Sequence, residues 1–312
     1  MQVDTAGDFY FSIVIATSGR PFQLKRCLAA ISRLQFPRDL FQVIVVFDGG
    51  FATPDAELRK TLGDVSFSTL TQSNRGPAAA RNAGSAVAAG KYLTFIDDDC
   101  IPAADWLARL SDEVNQHPEA MIGGNTVNAL AGNVYSEASQ SVIEYVYRYY
   151  NDSGADRRMF FASNNLTIPR VAYIAIGGFD EGFRAAEDRE ICARWQSGGG
   201  ASHFATSVVM YHAHDLGLLS LLKQHFKYGR GAYPSWKKEA EKTQKGLRVE
   251  PPRFYAGIVR FPFATGKHRP TTICALMILA QIANAAGFVF ESLLRLGSRK
   301  PRAVLRTGAE SA

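Results

Sequence analysis

Closely spaced cysteines are missing from the 312 residues. Cys27, Cys100, Cys192 and Cys274 are widely scattered with no paired spacing. That argues against a disulfide framework and leaves reduced thiols of a cytoplasmic protein as the expectation. A secretory leader is missing too. The opening "MQVDTAGDFYFSIVIATSGRP" carries acids where a leader needs bases, and its apolar stretch is short, so this start is expected not to be exported. Neither zinc-finger spacing nor an RNA-binding signature accompanies the net charge of +6, so no nucleic-acid partner is expected. Internal repeats and low-complexity tracts are absent. Long hydrophobic runs are scarce. The most apolar stretch, "TICALMILAQIANAAGFVF" (Thr272–Phe290), just reaches the length of a membrane span and is interrupted by Gln281 and Asn284.

What is present describes a globular protein: 46% hydrophobic and 21% charged residues suffice for a large core and exclude wholesale disorder. The bases gather late, in "KQHFKYGRGAYPSWKKEAEKTQKGLR" (Lys223–Arg248) and in the tail "RLGSRKPRAVLR". Lys267, His268 and Arg269 precede the apolar stretch; Arg295, Arg299 and Lys300 follow it. Three readings of that stretch stay open: a helix lying in the membrane interface, a packed helix or dimer contact, and a true span.

Short β-branched runs alternate with helical periods in the first hundred residues. "FSIVIAT" is followed by a helix opened by Pro21, with Leu24, Leu28, Ile31 and Leu34 on one face. "QVIVVF" ends at Asp48-Gly49-Gly50. A weaker helix and strand follow, then an Ala-rich helix expected to run from Pro77 to a glycine stop at Gly90, then "YLTFI". Four such alternations predict a doubly wound, mostly parallel α/β sheet, with a less regular half after residue 120. Ligands of such sheets bind beyond the carboxyl ends of the strands, where Thr17, Asp48 and Asp97–Asp99 all fall. Three adjacent aspartates at the end of a buried strand repel one another unless something positive lies against them. Magnesium and manganese are hard cations that prefer such oxygen ligands, so the D-x-D pair Asp97 and Asp99 could hold one against a diphosphate.

In order, the chain contains "SIVIATSGRP", "VIVVFDGG", "NRGPAAARNAG", "FIDDDCIPAADWL", "GGFDEGF", "AEDREICARW" and "QHFKYGRG". Over roughly Phe9 to Ala232 it thereby resembles the family-two glycosyltransferases, inverting nucleotide-sugar transferases of the GT-A fold. The resemblance implies an 8–235 transferase domain, with a nucleotide-sugar-binding half at 8–120 and an acceptor half at 121–235. Residues 236–312 are then a basic and apolar helical extension. It also implies residue roles. Thr17, Arg20, Asp48, Gly76, Arg81, Asp97 and Asp98 would hold the nucleotide-sugar. Asp99, with Asp97 and His212, would hold Mn2+ or Mg2+. Asp188, beside Glu187, would be the catalytic base, kept ionised by the N-terminal dipole of the helix it heads. The expected partners are a nucleotide-sugar donor, UDP-sugar favoured, a carbohydrate or lipid-linked acceptor, and an anionic membrane surface at the inner face of the membrane. The product would belong to cell-surface polysaccharide or glycolipid synthesis.

Two departures stand out. Phe47 occupies a position where the family often has a first acid, and "QHFKY" (Gln224–Tyr228) has Lys227 and Tyr228 in place of the R-W of the processive synthases. The residues themselves leave alternatives: Asp188 as a simple helix cap, Arg81 as a surface residue, His212 and His214 as structural histidines. Lys227 and Arg230 could face either membrane or phosphate. Two rival functions remain: a sugar-phosphate nucleotidylyltransferase, although "ATSGRPFQ" lacks its glycine-rich, lysine-bearing loop, and a catalytically dead membrane-attached scaffold.

Overall fold

The computed structural model describes residues 9–151, 159–183, 185–243 and 250–297. The apolar runs form β1 (Phe11–Thr17), β2 (Phe41–Asp48), β3 (Ser66–Gln72) and β4 (Tyr92–Asp97), all parallel, in the order 3-2-1-4. Side chains alternate across a strand, so each buried run feeds two cores. Ile13, Ile15, Val43 and Val45 meet Leu24, Leu28 and Ile31 of α1 (Pro21–Ile31). Val14, Ile44 and Val46 meet Ala78 and Ala80 of α3 (Pro77–Ala86) on the opposite face. This is the doubly wound arrangement expected. Between them α2 (Asp55–Leu62) covers the edge with Leu58 and Leu62. The Ala-rich helix differs from expectation at its end. It stops at Ala86, before Gly90, whose N–H is donated to Ser12 Oγ of β1 instead of capping a helix.

Past β4 the sheet becomes mixed. β5 (Cys100–Pro102), α4 (Trp106–Gln116), β6 (Met121–Asn128), α5 (Val134–Asn151), β7 (Leu166–Pro169), α6 (Arg170–Ala175), α7 (Glu187–Ser197) and β8 (Ser202–His212) follow in turn. The eight strands lie in the order β3-β2-β1-β4-β7-β6-β8-β5. β7 is antiparallel to both β4 and β6, β8 is parallel to β6, and β5 runs antiparallel to β8.

Three further helices complete the described chain: α8 (Leu218–Thr243), α9 (Pro252–Ala264) and α10 (Pro270–Gly297). Helix α8 runs unbroken through the expected 235/236 boundary. Ala138 and Val142 of α5, Leu221 of α8, Phe254, Ile258 and Phe261 of α9, and Ile273, Leu276 and Met277 of α10 form one buried cluster. At roughly 1.5–3 kcal/mol for each fully buried large side chain, that seam binds the last helices firmly to α5. Helices α8 and α10 also touch backbone to backbone. A Cβ at Gly229 would lie 1.8 Å from the Asn284 carbonyl, and one at Gly287 2.0 Å from that of Phe226.

The far side of α10 is apolar and exposed: Ile278, Leu279, Ile282, Val289, Phe290, Leu293 and Leu294 all face outward. By length and composition it is the one described helix that could cross a membrane, and about a third of its most apolar window is buried. The flanking bases do not act alike. Lys267 turns inward to Glu137 and Glu144 of α5 at 2.8 and 3.0 Å, whereas His268 and Arg269 are exposed. Arg299 and Lys300, and the 244–249 part of the earlier basic stretch, lie outside the described residues.

Candidate active site

The rim of the parallel sheet brings together the residues at its strand ends. Thr17 closes β1, and its hydroxyl donates to Asp98 Oδ2 at 2.6 Å. Arg20, just before α1, spreads its guanidinium over two carboxylates, with Nε 3.1 Å from Asp98 Oδ2 and Nη1 2.9 Å from Asp99 Oδ2. Burial raises the Asp98 carboxyl to about 6, against the opposing pull of Arg20 and Thr17. Asp99 goes the other way. Burial alone would raise it, but His212 and Arg20 hold it well below the usual carboxylate range.

His212 reaches Asp99 because of β5. The three-residue strand folds back directly after the aspartates and pairs Cys100 with His212 at the end of β8. His212 Nε2 then stands 3.2 Å from Asp99 Oδ1. The contact raises the His212 pKa against the effect of burial and lowers that of Asp99, so each group favours the charged form of the other. Asp99, Cys100 and His212 have ligand atoms within 4.8 Å of one another. The Cys100 thiol is an unsuitable member, since burial pushes its pKa well up and it donates to the Asn164 carbonyl. Asp97 is not in this group; its Oδ1 accepts from Arg81 Nη2 at 2.8 Å. Asp99 and His212 therefore offer a divalent cation one carboxylate and one imidazole ligand.

Asp48, at the end of β2, is buried and engaged. Oδ1 accepts from Gln72 Nε2 and the Arg75 N–H, and Oδ2 from the Gly76 N–H, all at 2.8 Å. Gly76 sits at φ 96°, where a side chain is strained, and that turn aims its N–H at Asp48 before α3 begins. Gln72 lies outside the quoted motifs and Arg75 contributes only its backbone N–H, so the fold reveals their part in shaping this edge.

Arg81 is not a surface residue. It is buried on α3 and bridges two elements, with Nη2 to Asp97 and Nη1 to Glu187 Oε1 at 2.7 Å. Burial disfavours its charge, but Asp97 and Glu187 more than offset this and hold the guanidinium protonated. Glu187 and Asp188 open α7 after Ala186, which takes a left-handed φ of 66°. No side chain caps this helix; Asp188, in its first turn, accepts the adjacent Arg189 N–H at 2.8 Å. The helix dipole does not dominate its charge as expected. Burial first, and the Glu187 charge second, push the Asp188 carboxyl up to about 7.

Around this centre, Gln224 of α8 donates from Nε2 to Tyr228 Oη at 2.6 Å and lies 3.4 Å from His214 Nδ1. Burial, then His212, lowers His214 to about 4, so it is neutral at physiological pH. Arg230 pairs with Glu291 of α10 at 2.9 Å and lies over the Phe290 ring. Asn82, the third letter of "ARN", donates to the Phe179 carbonyl and accepts its N–H, both at 2.9 Å. That couples the third motif to "GGFDEGF", a pairing hidden in the sequence because 97 residues separate them.

Comparison with known proteins follows this geometry. The profile described as "Glycosyl transferase family 2" matches residues 12–179. Glycosyltransferase AglE of Haloferax volcanii is 24% identical over 231 residues, covering 73% of this chain and 74% of that protein. Other curated relatives are matched over 97 to 173 residues and covered for half their length or less. Among solved structures, the mannosyltransferase PcManGT of Pyrobaculum calidifontis, in complex with GDP-Man and Mn2+, superposes with a TM-score of 0.59 at 18% identity. That match covers 95% of this chain and 84% of that one. S. aureus TarS 1–349 in complex with UDP-GlcNAc gives 0.52 at 14% identity, covering 93% and 92%. The α/β fold is thus of the GT-A type.

Proposed function

Because the chain belongs to glycosyl transferase family 2, we propose that it transfers a sugar with inversion from a nucleoside diphosphate to an acceptor hydroxyl, with Asp188 as base. The observation carrying this is the Arg81 bridge, which ties the first turn of α7 to the Asp97 end of the rim through one buried guanidinium. Inversion requires a base across the sugar from the leaving diphosphate. Asp97, Asp98 and Asp99 lie on the leaving-group side, and Glu187 is occupied by Arg81. Asp188 has no cation of its own among the described residues, and a proton affinity near 7 suits a base that must take a proton at neutral pH. Asp99 and His212 would hold Mn2+ or Mg2+, which supplies positive charge to the departing diphosphate. Arg20 braces Asp98 and Asp99, and Asp48 and Gly76 shape the edge toward which the nucleotide extends.

A UDP-sugar is the first donor to test and GDP-mannose the second, following the ligands of the two solved neighbours. The acceptor side suits a lipid-linked substrate at the inner face of the membrane, within cell-surface polysaccharide or glycolipid synthesis. Support comes from the exposed apolar face of α10 and from a cavity of about 420 Å³ at its start, lined by Ala131, Val134, Ile273, His268 and Arg269. On this reading the 8–235 part carries the transfer and α10, beyond the 235/236 boundary that α8 crosses, presents its apolar face to the membrane. Family membership argues against a nucleotidylyltransferase. Donor hydrolysis by purified protein across a nucleotide-sugar panel, with manganese and with EDTA, tests the rest. Metal-dependent release of nucleoside diphosphate from one donor is expected. Binding without turnover of any donor would establish a scaffold instead.

A further inference from the structure

A second cluster of metal-ligating side chains lies at the other end of β8, nine residues before His212 and across an irregularity in that strand. Glu113 and His117 are four apart at the end of α4 and so share one helix face. His203, near the start of β8, meets them there, and the ligand atoms of all three lie within 4.8 Å of one another. His203 Nε2 is 2.9 Å from Glu113 Oε2, while Ser207 Oγ donates to Glu113 Oε1 at 2.7 Å. The rings of His117 and His203 stack with centroids 4.0 Å apart and planes tilted by 28°. An ordinary Glu113–His203 ion pair explains the first contact but not His117. Among the described residues the His117 ring forms no hydrogen bond, yet it is held against a second imidazole.

We propose that Glu113, His117 and His203 form a binding site for a divalent transition metal of the zinc class, with Ser207 orienting the carboxylate. Two imidazoles and one carboxylate are a borderline donor set that suits zinc, cobalt or nickel and leaves a position for water. The carboxylate-rich rim suits magnesium or manganese, so the two ends of one strand would select different metals. The site joins α4 to β8, the strand that delivers His212, and its occupancy is independent of the proposed transfer reaction.

Titration calorimetry of the full chain with ZnCl2, in millimolar MgCl2, tests this alongside Co2+ absorption. Wild-type protein should bind Zn2+ and give a visible cobalt spectrum of low coordination number. His117→Ala, which removes no ion pair, should weaken binding more than tenfold, and His203→Ala should do the same. Ser207→Ala should weaken it by about tenfold, as removal of an orienting partner does. His212→Ala should leave this binding unchanged. Zinc affinity and cobalt spectrum that survive His117→Ala intact would overturn the site, as would their loss in His212→Ala alone.

Discussion

The two sides of Arg81 hold their carboxylates differently. On the rim side, Asp97, Asp98 and Asp99 are each braced by Arg81, Arg20 or His212. On the α7 side, Glu187 takes the other arm of Arg81, and Asp188 has no cationic partner among the described residues. Asp99 is consequently held ionised, while Asp188 is pushed up to about 7. Pairing alone does not set the difference, since burial still raises Asp98 to about 6 against Arg20 and Thr17; His212 beside Arg20 is what keeps Asp99 low, and no such pair of cations stands against Asp188 among the described residues.

The largest effect is expected from Asp188→Asn. Transfer should fall by about 10²–10⁴-fold while metal-dependent donor affinity persists, measured as product formation and nucleotide binding on the same preparation. Retention of transfer within a few-fold would return Asp188 to an incidental place at the helix start. The next candidates are then Glu187 and Asp180, although Asp180 already pairs with Lys238. Arg81→Met removes the divider itself. Leaving the buried Glu187 and the half-buried Asp97 without their partner should cost about 3 kcal/mol of stability in urea unfolding. Asp99→Asn tests the rim side alone. UDP binding in manganese should weaken by about ten- to a hundredfold, roughly 1.4–2.7 kcal/mol, and change little in EDTA.

A smaller test uses pH. The folded Asp188 carboxyl binds its proton up to about 7, the unfolded one only to about 4, so in between the folded state holds the extra proton and stability falls as pH rises. Asp188→Asn, which resembles the protonated form, should therefore be the more stable protein at pH 8. The gain should be roughly 1 kcal/mol, given partial exposure, and should vanish near pH 4. Equal melting temperatures across that range would remove the proposed strain. The smallest effect concerns the membrane. Arg269→Gln should reduce sedimentation with anionic vesicles by about fivefold, the worth of one base at such a surface. Unchanged sedimentation would remove Arg269 from the contact.

The parallel half is legible in the sequence because β1, β2 and β4 are buried runs with polar ends, and those ends share a rim by topology alone. Thr17, Asp48 and Asp97–Asp99 can be grouped on that reasoning without any coordinates. The second half resists for physical reasons. β5 is three residues long and carries no period, so the pairing that sets His212 against Asp99 leaves no local trace. Arg81 reads as a charge on an alanine-rich helix, and its burial depends on acids 16 and 106 residues away. The elevated pKa of Asp188 is equally hidden, since helix position predicts a dipole effect whereas burial is a property of the packed whole. Gln72 and Arg75 escape sequence reasoning because backbone and amide donors have no motif.

The glycines of α8 give the C-terminal helices a mechanical meaning. Gly229 lies against the backbone of α10, and two residues on, a Cβ at Gly231 would lie 2.6 Å from the carbonyl of Ala185, just ahead of α7. Rods in contact with no side chains between them have no cushion to absorb a shift. Pressure on the outer face of α10 would therefore travel through α8 to the turn that carries Asp188. In such a lever, whatever bears on α10 would be felt where α7 begins.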